Sequence, residues 1–341
     1  MNNILVTGAT GFVGAHLLFE LTKKGQQVVA LRRSASSLRQ VGKIFSYYTE
    51  DVEKYMSRIT WREADVLNYN SLREAMQGIT QVYHCAAIVS FNPDRKADVV
   101  EMNTLAAANV VRVCLEQQVD FLCHMSSIAA LGSSENGAAI DENAKWSSYK
   151  GKSGYASGKY FAEMQVWQGI ERGLNAVIVN PSIILGPGDW KTGSPKFFDF
   201  IYRGNPFYTV GAKGFVCVTD VVKAMIELGQ NKEAYGQRFL LSSENLTFRD
   251  LFSMIANAFG KKSPSIKATP FLMNVACAFE MLRFRLTGKE ASITAESVES
   301  GSKTSCFNGE KVKQLIDFSY TPIKECVEFA AKCYLNDKGE S

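Results

Sequence analysis

Two hydrophobic periods alternate along the first third of the chain. Residues 3–7 are a short continuous apolar run, the pattern of a strand buried on both faces, and residues 15–24 carry the spacing of an amphipathic helix. The same pair of patterns then recurs. Apolar runs at 27–31, 59–64, 81–87 and 120–125 predict further strands, with helical spacing at 69–77 and 98–117 between them. Strands that alternate with helices predict βαβ units, hence an α/β, Rossmann-type doubly wound parallel sheet. Residues 41–60 mix charge with Phe45, Tyr47 and Tyr48 and predict an inserted helix-bearing connection, to which the sequence assigns no function.

Further along, 214–228 and 237–242 are predicted to return to the main sheet. That gives a main domain of 1–181 with 214–242, and a smaller, mainly helical C-terminal substrate domain of 182–213 with 243–341. The aromatic-rich stretch from Trp190 to Tyr208 is expected to form one wall of the substrate pocket. Residues 270–286 are apolar with Arg283 and Arg285 near the end, which predicts core or pocket wall, or alternatively a helix on a membrane surface or a partner.

Between the first strand and the first helix lies Val6-Thr7-Gly8-Ala9-Thr10-Gly11-Phe12-Val13-Gly14. Glycines at a strand-to-helix turn permit positive φ, close approach of backbone to a pyrophosphate and tight packing of helix on strand, while the helix N-terminus favours an anion. A tight turn in any α/β protein is the plain alternative; the flanking strand and helix favour dinucleotide binding. Arg32-Arg33 follows the second strand, where an acidic residue would bond the adenosine ribose and an arginine would pair with a 2′-phosphate. NADP(H) is therefore favoured, with NAD(H) open. Asp65-Val66 ends the third strand, where Asp65 is placed either to meet adenine or to cap the helix at 69–77. Ala86 and Ala87 end the fourth strand with residues small enough for a cofactor to cross its tip, and Asn103 and Asn109 lie on the next helix as buried bridges or surface groups.

Tyr155 and Lys159 stand at i and i+4 within Gly154-Tyr155-Ala156-Ser157-Gly158-Lys159, on one helix face. A neighbouring ammonium favours a phenolate, which would bring the phenol, ordinarily near pKa ~10, towards acid/base work. Ser126-Ser127 at the tip of the fifth strand offers a hydroxyl for a reacting carbonyl or alcohol.

Composition narrows the classes. With 38 basic and 34 acidic residues the net charge is +4, too small and dispersed for a nucleic-acid partner. Eight cysteines lack a C-x-x-C pair and several sit in apolar runs, which predicts buried reduced thiols and a cytoplasmic protein. His84 and His124 close apolar strands and are expected to be satisfied core residues, so no metal site is expected. No apolar run approaches the ~18 residues of a membrane span, and the N-terminus lacks the signal-peptide pattern.

Together these motifs resemble the extended short-chain dehydrogenase/reductases, the NAD-dependent epimerase/dehydratase family, over nearly the whole chain. Thr7 to Gly14 matches the family's cofactor turn, Tyr155 and Lys159 its Tyr-x-x-x-Lys pair, and Ser127, rather than Ser126, its active-site serine. Gly8, Thr10, Gly11, Phe12, Val13, Gly14, Asp65, Val66, Ala86, Ala87, Pro181 and Ser182 are implied cofactor contacts, with Lys159 at the nicotinamide ribose. Asn180-Pro181-Ser182 resembles the Arg-Pro-Ser of the dihydroflavonol-reductase and 3β-hydroxysteroid-dehydrogenase-like branch, with Asn180 in place of arginine. The resemblance implies an oxidoreductase for hydrophobic ketones or alcohols, and a possible homodimer through helices of the main domain. A nucleotide-sugar epimerase or dehydratase is the alternative of the same fold, and a non-catalytic dinucleotide sensor the alternative of another class. Gly158 stands where the family often has serine or alanine; since glycine within a helix costs about 1 kcal/mol, close packing is expected there.

Overall fold

The parallel sheet forms because its strands are apolar on both faces. In a computed structural model, which describes residues 3–90, 93–133, 138–146, 148, 151–269 and 301–339, the first strands are β1 (Ile4–Thr7), β2 (Val28–Arg32), β3 (Ile59–Glu63), β4 (Gln81–His84), β5 (Phe121–Met125) and β6 (Ala176–Pro181). With β10 (Gln237–Leu241) they make one seven-stranded sheet in the order β10-β6-β5-β4-β1-β2-β3, every pairing parallel. The strand order reverses between β1 and β4, so the carboxyl ends of these two strands open the crevice where such sheets take ligands.

The helices α1 (Phe12–Lys23), α2 (Arg39–Ser46), α3 (Val52–Met56), α4 (Tyr69–Ala75), α5 (Lys96–Glu116), α6 (Gly154–Glu171), α7 (Lys196–Tyr202), α8 (Val218–Gln230) and α9 (Phe248–Ala258) follow in chain order, and α10 (Ile323–Lys338) ends the described chain. One face of the sheet packs on α1 and α8, the other on α4, α5 and α6. Gly158 has the tight neighbour its sequence implied. A Cβ there would sit 3.0 Å from Asn103 Nδ2 and 3.1 Å from the Val99 carbonyl, so α6 lies close on α5.

Two expectations change. The strand entered at Gly214, β9 (Ala212–Cys217), does not rejoin the main sheet. It pairs with β7 (Ile183–Leu185) and β11 (Glu244–Thr247) in a separate three-stranded sheet. β8 (Phe207–Tyr208) and β12 (Ile266–Lys267) form a further parallel pair. The aromatic stretch from Trp190 to Tyr208 is core more than pocket wall: Phe198 is fully buried, and Trp190, Phe197, Phe200, Tyr202 and Tyr208 pack against the same cluster as α9 and α10. Aromatic surface of this size contributes most when buried, and these rings join Phe215, Phe248, Phe252 and Tyr334 in one core cluster. The stretch 270–286, expected as core, pocket wall or membrane-surface helix, lies outside the described residues. Among the described residues no helix is long and apolar enough to cross a membrane.

The inserted connection is a structural strap. Phe45 and Tyr48 pack on Phe19 of α1, with Tyr48 stacked on it at 4.9 Å between centroids. Tyr47 Oη donates to Asp337 Oδ2 at 2.6 Å, Trp190 Nε1 donates to the same oxygen at 2.8 Å, and Lys43 forms an ion pair with that carboxylate. One acidic residue on α10 thereby joins α2, the segment after β7 and the layer over α1.

Candidate active site

The glycine turn closes as its sequence requires. Gly8 has φ +65°, a region that L side chains avoid, and a Cβ on it would meet the Ala86 backbone nitrogen at 2.6 Å. A Cβ on Gly14 would lie 2.2 Å from the Gly8 carbonyl oxygen, so α1 can start this close to β1 only without one. Gly11 is the N-cap of α1 and supplies no side-chain cap. The first N–H groups of α1 therefore have no side-chain acceptor beside them, the condition for holding a phosphate. Thr10 is half-buried beside the turn. Phe12 and Val13 serve packing: Val13 is in the core, and the Phe12 ring lies against Gly186 and Gly188.

His16, one turn on, locks this arrangement. Its Nε2 is 2.9 Å from the Pro187 carbonyl and its Nδ1 3.0 Å from Tyr48 Oη. A carbonyl only accepts, so Nε2 carries the proton and Nδ1 accepts from the tyrosine. Burial lowers its pKa to about 4.

Arg32 ends β2 half-buried and Arg33 is exposed after it; among the described residues neither side chain has an ion-pair or hydrogen-bond partner. Asp65 does not cap α4. That role belongs to Asn68, whose side chain accepts from Ser71 N, while Asp65 Oδ1 accepts from Leu67 N in a local turn at the end of β3. The Val66 carbonyl accepts from Asn109 Nδ2 at 2.9 Å. Asn103 is a buried bridge, bonding both N–H and C=O of Ile88 just beyond Ala86 and Ala87.

Across the β1/β4 crevice stand the candidate catalytic groups. Ser153 caps α6 by accepting from Ala156 N, which sets the helix start so that Tyr155 and Lys159 face the tip of β5. Tyr155 is hydrogen-bonded to Ser127, whereas the hydroxyl of Ser126 turns away to donate to Glu163. The Tyr155 phenol is pushed up by burial and drawn down by the Ser127 bond. The adjacent ammonium does not set it here. Lys159 Nζ instead donates to the Met125 carbonyl at 3.0 Å. Burial brings the Lys159 pKa down to about 8, against the opposing pull of Cys85 and Glu163.

Behind Lys159, His84 and His124 lie in register on β4 and β5 with centroids 5.2 Å apart. His84 Nδ1 is 2.7 Å from Thr7 Oγ1 and its pKa is lowered to about 3 by burial, then by the Lys159 charge. His124 differs from expectation: neither ring nitrogen has a partner among the described residues. Pro181 ends β6 and Ser182 follows it; both are buried, and Ser182 Oγ has no partner among the described residues. A buried hydroxyl left without a partner at a strand tip, together with a turn that a Cβ would fill, fits a polar group entering the crevice. Asn180, where the branch resemblance has arginine, donates through Nδ2 to the Ser127 carbonyl and to Glu163.

Comparison with known proteins agrees with this fold. The profile of the NAD dependent epimerase/dehydratase family matches residues 4–240. The chain belongs to that family. As a member of these extended short-chain dehydrogenase/reductases it is an NAD(P)-dependent oxidoreductase. A Synechocystis sp. protein provisionally named dihydroflavonol 4-reductase is 27% identical over 338 residues, which cover 97% of this chain and 94% of the relative. Cinnamoyl-CoA reductase 1 of Petunia hybrida is 26% identical over 347 residues, 98% of this chain and 92% of that one. The crystal structure of gox2253 superposes with a TM-score of 0.80 at 26% identity, covering 100% of this chain and 99% of that one.

Sequence reasoning passed over two members of the site, Glu163 and Arg238. Glu163 carried a signal: a carboxylate one turn beyond Lys159, on the face that packs inward. Arg238 carried none, because its partner lies 75 residues away.

Proposed function

We propose that this protein is an NADPH-dependent reductase of an apolar ketone or conjugated carbonyl, dihydroflavonol- or hydroxysteroid-like, with Ser127, Tyr155 and Lys159 as its catalytic residues. The observation that carries the reading is the Ser127–Tyr155 hydrogen bond at the tip of β5, with only β4 between that strand and β1, which leads into the glycine turn. A phenol whose pKa is raised is protonated at neutral pH, which suits a proton donor.

In this reading Gly8 to Gly14 hold the pyrophosphate, Arg32 and Arg33 the 2′-phosphate, and Asp65 and Val66 the adenine. Ala86, Ala87, Pro181 and Ser182 line the path to the nicotinamide, and Lys159 binds its ribose. The bound nicotinamide supplies the hydride to the carbonyl carbon. Ser127 Oγ holds the carbonyl oxygen, and Tyr155 Oη gives that oxygen its proton as the C=O bond becomes C–OH. The Lys159 ammonium offsets the negative charge left on the phenolate. Small-molecule reduction needs no nucleic acid, and a second copy of the chain is the expected partner.

The test is NADPH and NADH oxidation over dihydroflavonols, cinnamoyl thioesters, ketosteroids and nucleotide sugars. Tyr155→Phe should lower turnover about a hundredfold or more while NADPH affinity stays within about twofold. Full activity in that variant would sink the catalytic assignment, and turnover confined to nucleotide sugars would replace the substrate class.

A further inference from the structure

The two halves of the candidate triad come from different elements, Ser127 from the tip of β5 and Tyr155 with Lys159 from α6. Something must fix one against the other before any substrate arrives. Glu163 is placed to do so. It lies one turn beyond Lys159 and is 3% exposed. Ser126 Oγ donates to its Oε2 at 2.6 Å and Asn180 Nδ2 to the same oxygen at 2.8 Å. Its Oε1 accepts from Arg238 Nη1 at 3.0 Å and Trp167 Nε1 at 3.2 Å. The tips of β5 and β6 and the start of β10 thus converge on one carboxylate of the catalytic helix.

Asn180 makes the connection to Ser127 specific. Its Nδ2 donates to the Ser127 carbonyl at 3.0 Å as well as to Glu163, and that carbonyl belongs to the residue whose hydroxyl meets Tyr155. Arg238 extends the network beyond the strand tips: Nε donates to the Glu142 carbonyl and Nη2 to the Ala144 carbonyl, on the segment that follows Ser127. A buried carboxylate with four donors is well compensated, and removing its charge takes from the half-buried Arg238 guanidinium its ion-pair partner. A carboxylate serving only to stabilise α6 would need no tie to the backbone of Ser127.

We propose that Glu163, acting through Asn180, is a positioning residue that sets the Ser127–Tyr155 hydrogen bond. The inference rests on the assignment of Ser127 and Tyr155 above, and it concerns geometry present without cofactor or substrate.

The test is carbon NMR of full-length protein labelled with [ζ-13C]tyrosine, with the Tyr155 signal assigned by its loss in Tyr155→Phe. Ser127→Ala gives the shift that follows loss of the hydrogen bond. Asn180→Ala and Glu163→Gln should move the Tyr155 signal in the same direction, whereas Thr22→Val, which removes a buried hydroxyl bond inside α1, should leave it in place while lowering stability. On a carbonyl that the wild type reduces, Glu163→Gln should lower kcat about tenfold or more with the NADPH KM little changed. A Tyr155 signal unmoved in Asn180→Ala would overturn the proposal. Asn180→Ala keeps the other three donors on Glu163, so it reports even where Glu163→Gln fails to fold. A shifted signal in a protein inactive on every carbonyl would count against the reductase reading alone.

Discussion

Gly14→Ala measures how tightly the dinucleotide turn is closed. Alanine is ordinarily the better helix residue by about 1 kcal/mol. At position 14, however, its Cβ would lie 2.2 Å from the Gly8 carbonyl oxygen and 2.8 Å from the Gly8 carbonyl carbon, about 1.2 Å inside the 3.4 Å at which ordinary contact begins. Both obstacles are backbone, held by the 2.9 Å bond from Gly11 N to Gly8 O, so the turn itself must move. Overpacking costs about 1–3 kcal/mol, and a clash against backbone belongs at the upper end. After the helix gain, a net loss of about 2 kcal/mol remains. Gly42 provides the control: it lies in α2 with nothing within 4 Å of an added Cβ, and Gly42→Ala should gain about 0.5–1 kcal/mol. Urea unfolding reads both changes, and fluorescence titration with NADPH reads the site. Gly14→Ala should weaken NADPH about tenfold or more, equivalent to about 1.4 kcal/mol, with Gly42→Ala unchanged. Should Gly14→Ala match Gly42→Ala in stability and bind NADPH like the wild type, the turn is not closed as described, and the phosphate cradle fails with it.

Replacing Arg32 and Arg33 together by alanine should weaken NADPH about tenfold more than NADH, the difference expected when charge-assisted bonds to a 2′-phosphate are lost; equal losses in the two titrations would refute that role. His16 and His84 supply a pH prediction. Burial, foremost, holds them neutral in the fold, with pKa values of about 4 and about 3, whereas the unfolded chain takes up those protons near pH 6.5. Below that pH the unfolded state binds more protons, so stability falls as pH drops from 6.5 towards 4, by about 1.4 kcal/mol per pH unit for each histidine. Urea midpoints at descending pH should fall less steeply in His16→Gln, and slopes identical to the wild type would show that His16 does not stay neutral.

What the sequence could reveal was local. The glycine turn, the Tyr155–Lys159 spacing and the strand-helix alternation are patterns over a few residues, and they follow from backbone conformation and side-chain period. The inserted connection was legible as helical, but its purpose depends on Asp337, whose bonds reach back 147 positions to Trp190 and 290 to Tyr47. The sheet chosen by β9 was not legible either. Its apolar run suits any buried strand, and what decides is the pairing with β7 and β11. Aromatic residues from Trp190 onwards fit a pocket wall and a core equally well by composition, and only their packing on α9 and α10 separates the two. Asn68 took the cap offered to Asp65 because it immediately precedes the helix, a distinction of three positions that strand-end reasoning blurs. Lys159 sits where the spacing placed it, but its ammonium found the Met125 carbonyl, a partner supplied by the sheet rather than by its own helix.

Asp337 also bears on the order in which the protein can be finished. Its partner Tyr47 lies 290 positions earlier, so the layer over the first helix is incomplete until Asp337 has been synthesised. Throughout translation Tyr48 lacks the Phe329 ring that finally lies 5.4 Å away, and Trp190 and Lys43 lack their carboxylate. The nascent chain therefore carries an unfinished aromatic layer beside its glycine turn, a surface open to aggregation or chaperone binding until α10 is made. Replacing Asp337 by alanine would keep every candidate catalytic residue and remove the carboxylate that Tyr47, Trp190 and Lys43 share.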